Sequence, residues 1–134
     1  MPTHRLRAGI RARLGGLAAV GLLALTVTAG ASAQDARVYD DKLMRLSEIL
    51  GAVHYLRELC GAEEGQLWRD RMRDLIEAEG SSALRRARLT RSFNKGYQGY
   101  SRTYRTCTAS AQTAVNRFLV EAGQIADGLI RNAP

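Results

Sequence analysis

The chain has 134 residues, 46% of them hydrophobic and 25% charged, and 20 basic residues against 13 acidic ones give a formal net charge of +7. Four of the basic residues lie within the first 13 positions, in a segment that we expect to be removed, which leaves 16 basic and 13 acidic groups. A chain of this length forms one small domain, and a balance of +3 does not mark it as a strongly basic protein.

The N-terminus has the pattern of a secretory signal peptide. A segment with four arginines and no acid precedes an uncharged run over residues 14–30, which ends in the small-x-small motif Ala31-Ser32-Ala33. This pattern predicts export and cleavage after Ala33, so residues 1–33 are the signal peptide and residues 34–134 a single helical domain. The alternative is an uncleaved membrane anchor, because 17 uncharged residues come close to the roughly 20 that span a bilayer.

The first half of the mature part predicts two helices. Apolar residues recur at three- and four-residue steps from Leu43 to Cys60, which predicts a first helix over residues 36–60 with Gly61 as its C-terminal stop. A second helix is predicted over residues 62–79, because Glu63 and Glu64 are favourable in a first turn and an apolar face follows.

The second half predicts two more helices. Ser81 and Ser82 are caps for a third helix, whose apolar stripe runs to Cys107, and a fourth helix extends to Arg131. We predict a break near Thr108, because one continuous helix would be about 75 Å long and would be buried only by dimerisation. The expected fold class is therefore all-α, a small up-down bundle of about four helices, with a homodimer as the alternative.

Cys60 and Cys107 are the two cysteines of the chain. In an exported protein an isolated pair predicts one disulfide, which joins the ends of the first and third helices at one pole of the bundle. A redox-active thiol and an intermolecular bridge are the alternatives, although no CxxC motif is present.

The segment FNKGYQGYSRTYRTC, residues 93–107, mixes rings and cations along the sequence. On a helix that turns by about 100° per residue, Phe93, Tyr97, Tyr100 and Tyr104 fall within about 60° of each other. The rings therefore predict core packing, with a cleft bordered by Tyr97 or Tyr100 as the alternative. Gly96 and Gly99 predict close approach of another backbone, because glycine is costly inside a helix.

The cations of this helix project to the opposite side, between about 120° and 220° from Phe93. Residues 34–80 form an acidic first half of the mature part, with 7 basic and 11 acidic groups. We interpret the cationic face as a solvated surface, an electrostatic match to this acidic half, or a patch for an anionic partner such as lipid headgroups, envelope polysaccharide or an acidic protein. Nucleic acid is not expected as a partner, because the rings have helical spacing instead of alternating on a strand. The candidate binding residues are Arg88, Arg91, Asn94, Lys95, Tyr97, Tyr100, Arg102 and Arg105.

No catalytic, metal or cofactor motif emerges from the sequence. His54 and Glu58 share one helical face, but a zinc site requires a third and a fourth ligand, and neither GxSxG, HExxH nor a phosphate loop is present. We therefore expect no cofactor and no metal. The alternative is a cell-envelope hydrolase with a cleft near His54, Glu58, Tyr97 and Tyr100.

The motifs LRELCG, WRDRM, FNKGY and YRTCT resemble an uncharacterised family of small exported alphaproteobacterial proteins, classed as a domain of unknown function. The resemblance covers nearly all of the mature part and implies a periplasmic location, but it implies no activity. The residues that carry it are Leu56, Arg57, Cys60, Gly61, Trp68, Phe93, Asn94, Gly96, Tyr97, Tyr104 and Cys107. Together these observations predict a non-enzymatic periplasmic module that binds an envelope component or a partner protein.

Overall fold

The computed structural model describes residues 28–133 of the chain, with side chains from residue 30 onward. The helices are α1 (Thr28–Leu59), α2 (Leu67–Glu79), α3 (Ala83–Thr103) and α4 (Ala109–Arg131). Residues 28–133 contain no strand, so the prediction of an all-α fold with four helices is confirmed. Most of the predicted signal peptide lies outside the described residues, and the predicted cleavage point at Ala33 lies in the exposed first part of α1.

Helix α1 is the centre of the bundle, because α2, α3 and α4 each pack against it. The contacts between α1 and α3 advance in the same direction, from Asp40 with Arg85 to Cys60 with Cys107. The contacts of α1 with α2 and α4 run in the opposite direction, so successive helices alternate up and down. Helix α2 also packs against α3. Within the described part of the chain, the backbone of α4 comes close to that of α1 alone, and α4 meets α3 through side chains such as Phe118 against Tyr100.

The core consists of two clusters on either side of α1. One joins α1 to α4 and includes Val53, Leu56 and Phe118, which are 1%, 0% and 2% exposed. The other joins α1, α2 and α3 to the C-terminal end of α4 and includes Met72, Phe93 and Leu129. The apolar stripe that predicted α1 is therefore split between two partners, which explains why it is wider than a single helix contact requires.

Helices α1 and α3 touch through their backbones. A Cβ on Gly96 would lie 1.9 Å from the carbonyl oxygen of Glu48, so the predicted close approach at Gly96 is confirmed. The same prediction for Gly99 is wrong, because nothing lies within 4 Å of a Cβ built at that position. Gly99 faces outward, and only one of the two glycines is needed for the crossing.

The predicted helix starts need two corrections. Helix α1 begins at Thr28, earlier than the predicted start at residue 36, and α2 begins at Leu67, later than the predicted start at residue 62. Gly61 and Gly65 have positive φ values of 76° and 54°, a backbone conformation that glycine adopts without steric cost. They shape a loop over residues 60–66, so the acids expected in the first turn of α2 precede that helix.

The end of α3 also needs a correction. The helix stops at Thr103, because Tyr104 adopts an extended backbone with φ −115° and ψ 125°. Tyr104, Arg105 and Cys107 therefore lie in the connection to α4 and not on the helical faces to which the projection assigned them. The predicted break is confirmed, since the Thr108 side chain caps α4 by accepting a hydrogen bond from the backbone N–H of Ala111.

Candidate functional site

A disulfide joins α1 to the connection between α3 and α4. Cys60 and Cys107 are bonded, with their Cα atoms 4.9 Å apart, which confirms the predicted pairing. The Tyr55 hydroxyl donates to the backbone oxygen of Tyr104 at 2.5 Å, and the Tyr104 hydroxyl lies 2.9 Å from the Ser110 Oγ. These contacts fix the C-terminal end of α3 beside the C-terminal end of α1, and they set the orientation in which α3 presents its outer face.

The outer face of α3 carries a row of exposed polar side chains, which we name the α3 strip. Its members are Arg88, Arg91, Asn94, Lys95, Gln98 and Arg102. The strip lies opposite the residues that α3 buries against α1, namely Leu89, Phe93 and Gly96. It borders a shallow depression, and because one helix supplies the described lining residues, the strip is an open surface and not an enclosed cavity.

The cations of α3 differ in whether they have acidic partners. Arg85 is paired with Asp40 and Glu79, on the side of α3 that faces α1 and α2. Lys95 Nζ lies 3.1 Å from a Glu48 carboxylate oxygen, yet its side chain is 71% exposed.

The other three cations of the α3 strip have no such partner. Arg88, Arg91 and Arg102 are exposed, with no carboxylate within 4.0 Å among the described residues. The electrostatic match to the acidic half therefore accounts for Arg85 and Lys95 but leaves most of the α3 strip uncompensated.

Tyr97 and Tyr100 lie on the packed side of α3, half-buried and away from the α3 strip. The Tyr97 ring lies 5.4 Å from that of Tyr55, centroid to centroid. Tyr100 meets Phe118 edge to face at 5.1 Å. Both rings thus pack between α3 and its neighbouring helices. The candidate binding residues therefore fall into three groups: exposed polar side chains on the outside of α3, two half-buried tyrosines on its packed side, and Arg105 in the connection to α4.

The sequence pattern of a family described as "Protein of unknown function (DUF2385)" matches residues 38–132. The chain belongs to this family. The DUF2385 domain includes α2, α3, α4, most of α1, both cysteines and the whole α3 strip. Comparison with curated proteins and with solved structures found no match.

Of the four residues that the hydrolase alternative named, His54 and Tyr97 lie together in this DUF2385 domain, with ring centroids 5.7 Å apart. His54 is 4% exposed, and its Nε2 accepts a hydrogen bond from Arg69 Nε at 2.9 Å. Glu58 is exposed, and the Tyr100 ring packs toward α4. Burial lowers the pKa of His54, the Arg69 cation lowers it further, and Glu58 opposes both effects. The His54 imidazole is thus buried in the bundle and hydrogen-bonded to Arg69.

A salt bridge between α1 and α4 was not predicted. Arg45 donates to both carboxylate oxygens of Glu121 at 2.7 and 3.0 Å, and its guanidinium lies 5.6 Å from the centroid of the Phe118 ring. The hydrogen bond from Arg45 lowers the pKa of Glu121. The two residues are 76 positions apart, and no local pattern pairs them.

A second depression of about 250 Å³ lies between α2 and α4, lined by apolar residues that include Leu46, Leu75 and Ile130. Among residues 28–133, no helix is both long and apolar enough to cross a membrane. The same residues contain no group of three or more side chains placed to hold a metal ion.

Proposed function

We propose that this chain is a non-enzymatic periplasmic binding module that engages an anionic envelope component or an acidic partner protein through the α3 strip. The observation that carries the proposal is the exposure of Arg88, Arg91 and Arg102 without acidic partners, on one face of a helix whose opposite face is buried. Cations in this position keep their charge available to a partner, whereas a paired cation such as Arg85 does not.

The spacing of the α3 strip favours a partner with several anionic groups. At 1.5 Å per residue, the cations from Arg88 to Arg102 span about 21 Å along the helix. A single small anion meets one or two of them, whereas an extended anionic surface or chain meets all of them. The attraction between exposed charges is screened over about 8–10 Å at physiological ionic strength, so binding through this surface weakens as salt is added.

The periplasmic part of the proposal is supported by two features of the chain. The arginine-rich segment, the uncharged run over residues 14–30 and the motif ending at Ala33 have the order of a signal peptide. The bond between Cys60 and Cys107 is of a kind that persists in oxidising compartments.

Site-specific crosslinking in cells tests the proposal. A photo-crosslinking amino acid replaces Gln98, an exposed and uncharged member of the α3 strip, and the matched control replaces Gln112, which is exposed on α4. We expect adducts from position 98 and few from position 112. Reversal of Arg88, Lys95 and Arg102 to glutamate should abolish the adducts at position 98. Adducts that persist after the reversal would overturn the proposal.

A further inference from the structure

His54 is a buried titratable group that the α3 strip does not use. It lies where α1, α2 and α3 meet, and its side chain is 4% exposed. Arg69 of α2 donates to its Nε2 at 2.9 Å. The rings of Phe93 and Tyr97 of α3 lie 6.1 and 5.7 Å from its own, centroid to centroid. The imidazole thus occupies the junction of three helices and forms a polar link from α1 to the first turn of α2.

The hydrogen bond fixes the protonation state of His54. A guanidinium has only donors, so the nitrogen that accepts from Arg69 carries a lone pair, and the imidazole is neutral with its proton on Nδ1. A proton added to Nε2 makes both ring nitrogens donors. It also places two cations within 2.9 Å of each other in a partly buried site, where Coulomb repulsion is stronger than in water. The contact therefore exists only while His54 is neutral.

The groups that face His54 come from each of the three helices. They are Glu58 from α1, Arg69 from α2 and the Tyr97 phenol from α3. Burial lowers the pKa of His54 most, the Arg69 cation acts in the same direction, and Glu58 opposes them. The closed arrangement therefore binds a proton less readily than an arrangement in which the imidazole meets water.

Helix α2 is the shorter partner in this contact, and its far end is held separately, because Glu79 accepts a hydrogen bond from the Tyr39 hydroxyl at 2.8 Å and pairs with Arg85. It has 13 residues, of which Met72 is the buried one. Helices α1 and α3, in contrast, are locked at Gly51 and Gly96, where each backbone touches the other. The loop over residues 60–66 and the turn at residues 80–82 flank α2. The imidazole cannot withdraw from Arg69 without disturbing the α1–α3 crossing, whereas the exposed Arg69 side chain and the first turn of α2 border the loop and can move outward.

We propose that the contact between His54 and Arg69 is a pH-sensitive latch, which holds α2 against α1 while the imidazole is neutral and releases α2 when Nε2 takes a proton. Because the open form binds the proton more readily, stability of the closed form is fully present above the ordinary pKa of 6.5 and is lost as the pH falls from there through the lower pKa of the closed form. One proton is linked to opening, so the open fraction rises by at most about tenfold per pH unit.

Hydrogen exchange of the α2 amides tests the latch. The sample is the protein as it is purified from cells. Between pH 7.5 and pH 5, after correction for the intrinsic exchange rate, we expect faster exchange in α2 while α4 stays protected. Emission of Trp68, the single tryptophan of the chain, should change over the same pH range, because it precedes Arg69 in α2.

Three variants separate the latch from general acid destabilisation. His54→Gln keeps an acceptor for Arg69 without a titrating group, so its α2 exchange should not vary with pH in this window. Arg69→Gln removes the repelling cation, so protonation of His54 opposes the closed form less, and the pH dependence of α2 exchange should weaken. The control Arg71→Gln replaces a side chain that is 64% exposed and should keep the wild-type pH dependence. A wild-type α2 exchange rate independent of pH, or the full wild-type pH dependence in Arg69→Gln, would overturn the latch.

Discussion

Gly51 of α1 lies against the backbone of α3 at Phe93. A Cβ built on Gly51 would lie 1.9 Å from the Phe93 carbonyl oxygen, and Gly96 stands in the reciprocal position one turn further along α3. The obstructing atom is a backbone oxygen and not the end of a flexible side chain, so a larger residue forces the helices apart. This crossing holds α3 at the distance that buries Phe93 and turns the α3 strip outward.

Gly51→Ala and Gly96→Ala should each lower the free energy of unfolding by at least about 2 kcal/mol, because added atoms in a tight contact cost roughly 1–3 kcal/mol or more. Urea denaturation measures the effect. Gly99→Ala is the matched control on the same helix, where a Cβ meets nothing within 4 Å, and it should stabilise the protein by roughly 0.5–1 kcal/mol. Equal effects at positions 96 and 99 would contradict the close crossing.

The disulfide should be a major source of stability. The bond closes a loop with a sequence separation of 47 residues, which corresponds to about 4 kcal/mol in the chain-entropy treatment. Cys107→Ser should lower the free energy of unfolding by roughly 2–4 kcal/mol, measured by urea denaturation without reductant. Mass spectrometry of the protein isolated with its thiols blocked should find no free thiol, and two free thiols would refute the bond.

The ion pair between Arg45 and Glu121 predicts a pH-dependent contribution to stability. Because the folded state lowers the pKa of Glu121, this contribution is present above the ordinary value of 4.5 and is lost as the pH falls below it through the folded value. The side chains are 41% and 33% exposed, so solvent screening limits the pair to about 1 kcal/mol or less.

Glu121→Gln tests this contribution. The difference in unfolding free energy from the wild type should be measurable at pH 7 and should disappear near pH 3. Asp127→Asn, which alters another exposed acid on α4, is the control and should have little effect at either pH. A constant difference between the wild type and Glu121→Gln across this range would contradict the assigned role of the carboxylate.

The sequence predicted those parts of the fold that depend on local patterns. The three- and four-residue spacing that begins at Leu43 identified α1, and the Ser82 and Thr108 side chains cap α3 and α4 as their residue types indicated. The start of α2 was missed, because Glu64 looks favourable in a first turn but instead accepts hydrogen bonds from Arg57 and Trp68. A long-range contact decided the outcome in that case.

The α3 strip was predictable because helical projection alone separates cations from rings. Which of its cations lack an acidic partner was not predictable from the sequence. The pairing of Lys95 with Glu48 and the lack of a partner for Arg91 depend on where α1 lies in three dimensions. The projection also failed beyond Thr103. The Tyr55 hydroxyl, 49 residues away in the sequence, donates a hydrogen bond to the backbone oxygen of Tyr104. No local sequence pattern predicts such a contact. His54 with Arg69 belongs to the same class of contact.

The most direct test of the proposed function is the salt-dependent retention of the purified protein on isolated bacterial envelope fractions. The test variant reverses Arg88, Lys95 and Arg102 to glutamate. The matched control reverses three exposed cations outside the α3 strip, Arg37, Arg71 and Arg131, and changes the net charge by the same amount.

We expect the wild type and the control variant to bind, and added salt to weaken the binding of both. The α3 strip variant should bind at least about tenfold more weakly, a difference of roughly 1.4 kcal/mol in binding free energy. Equal retention of the two variants would show that general charge and not the α3 strip governs binding, and it would contradict the proposed function.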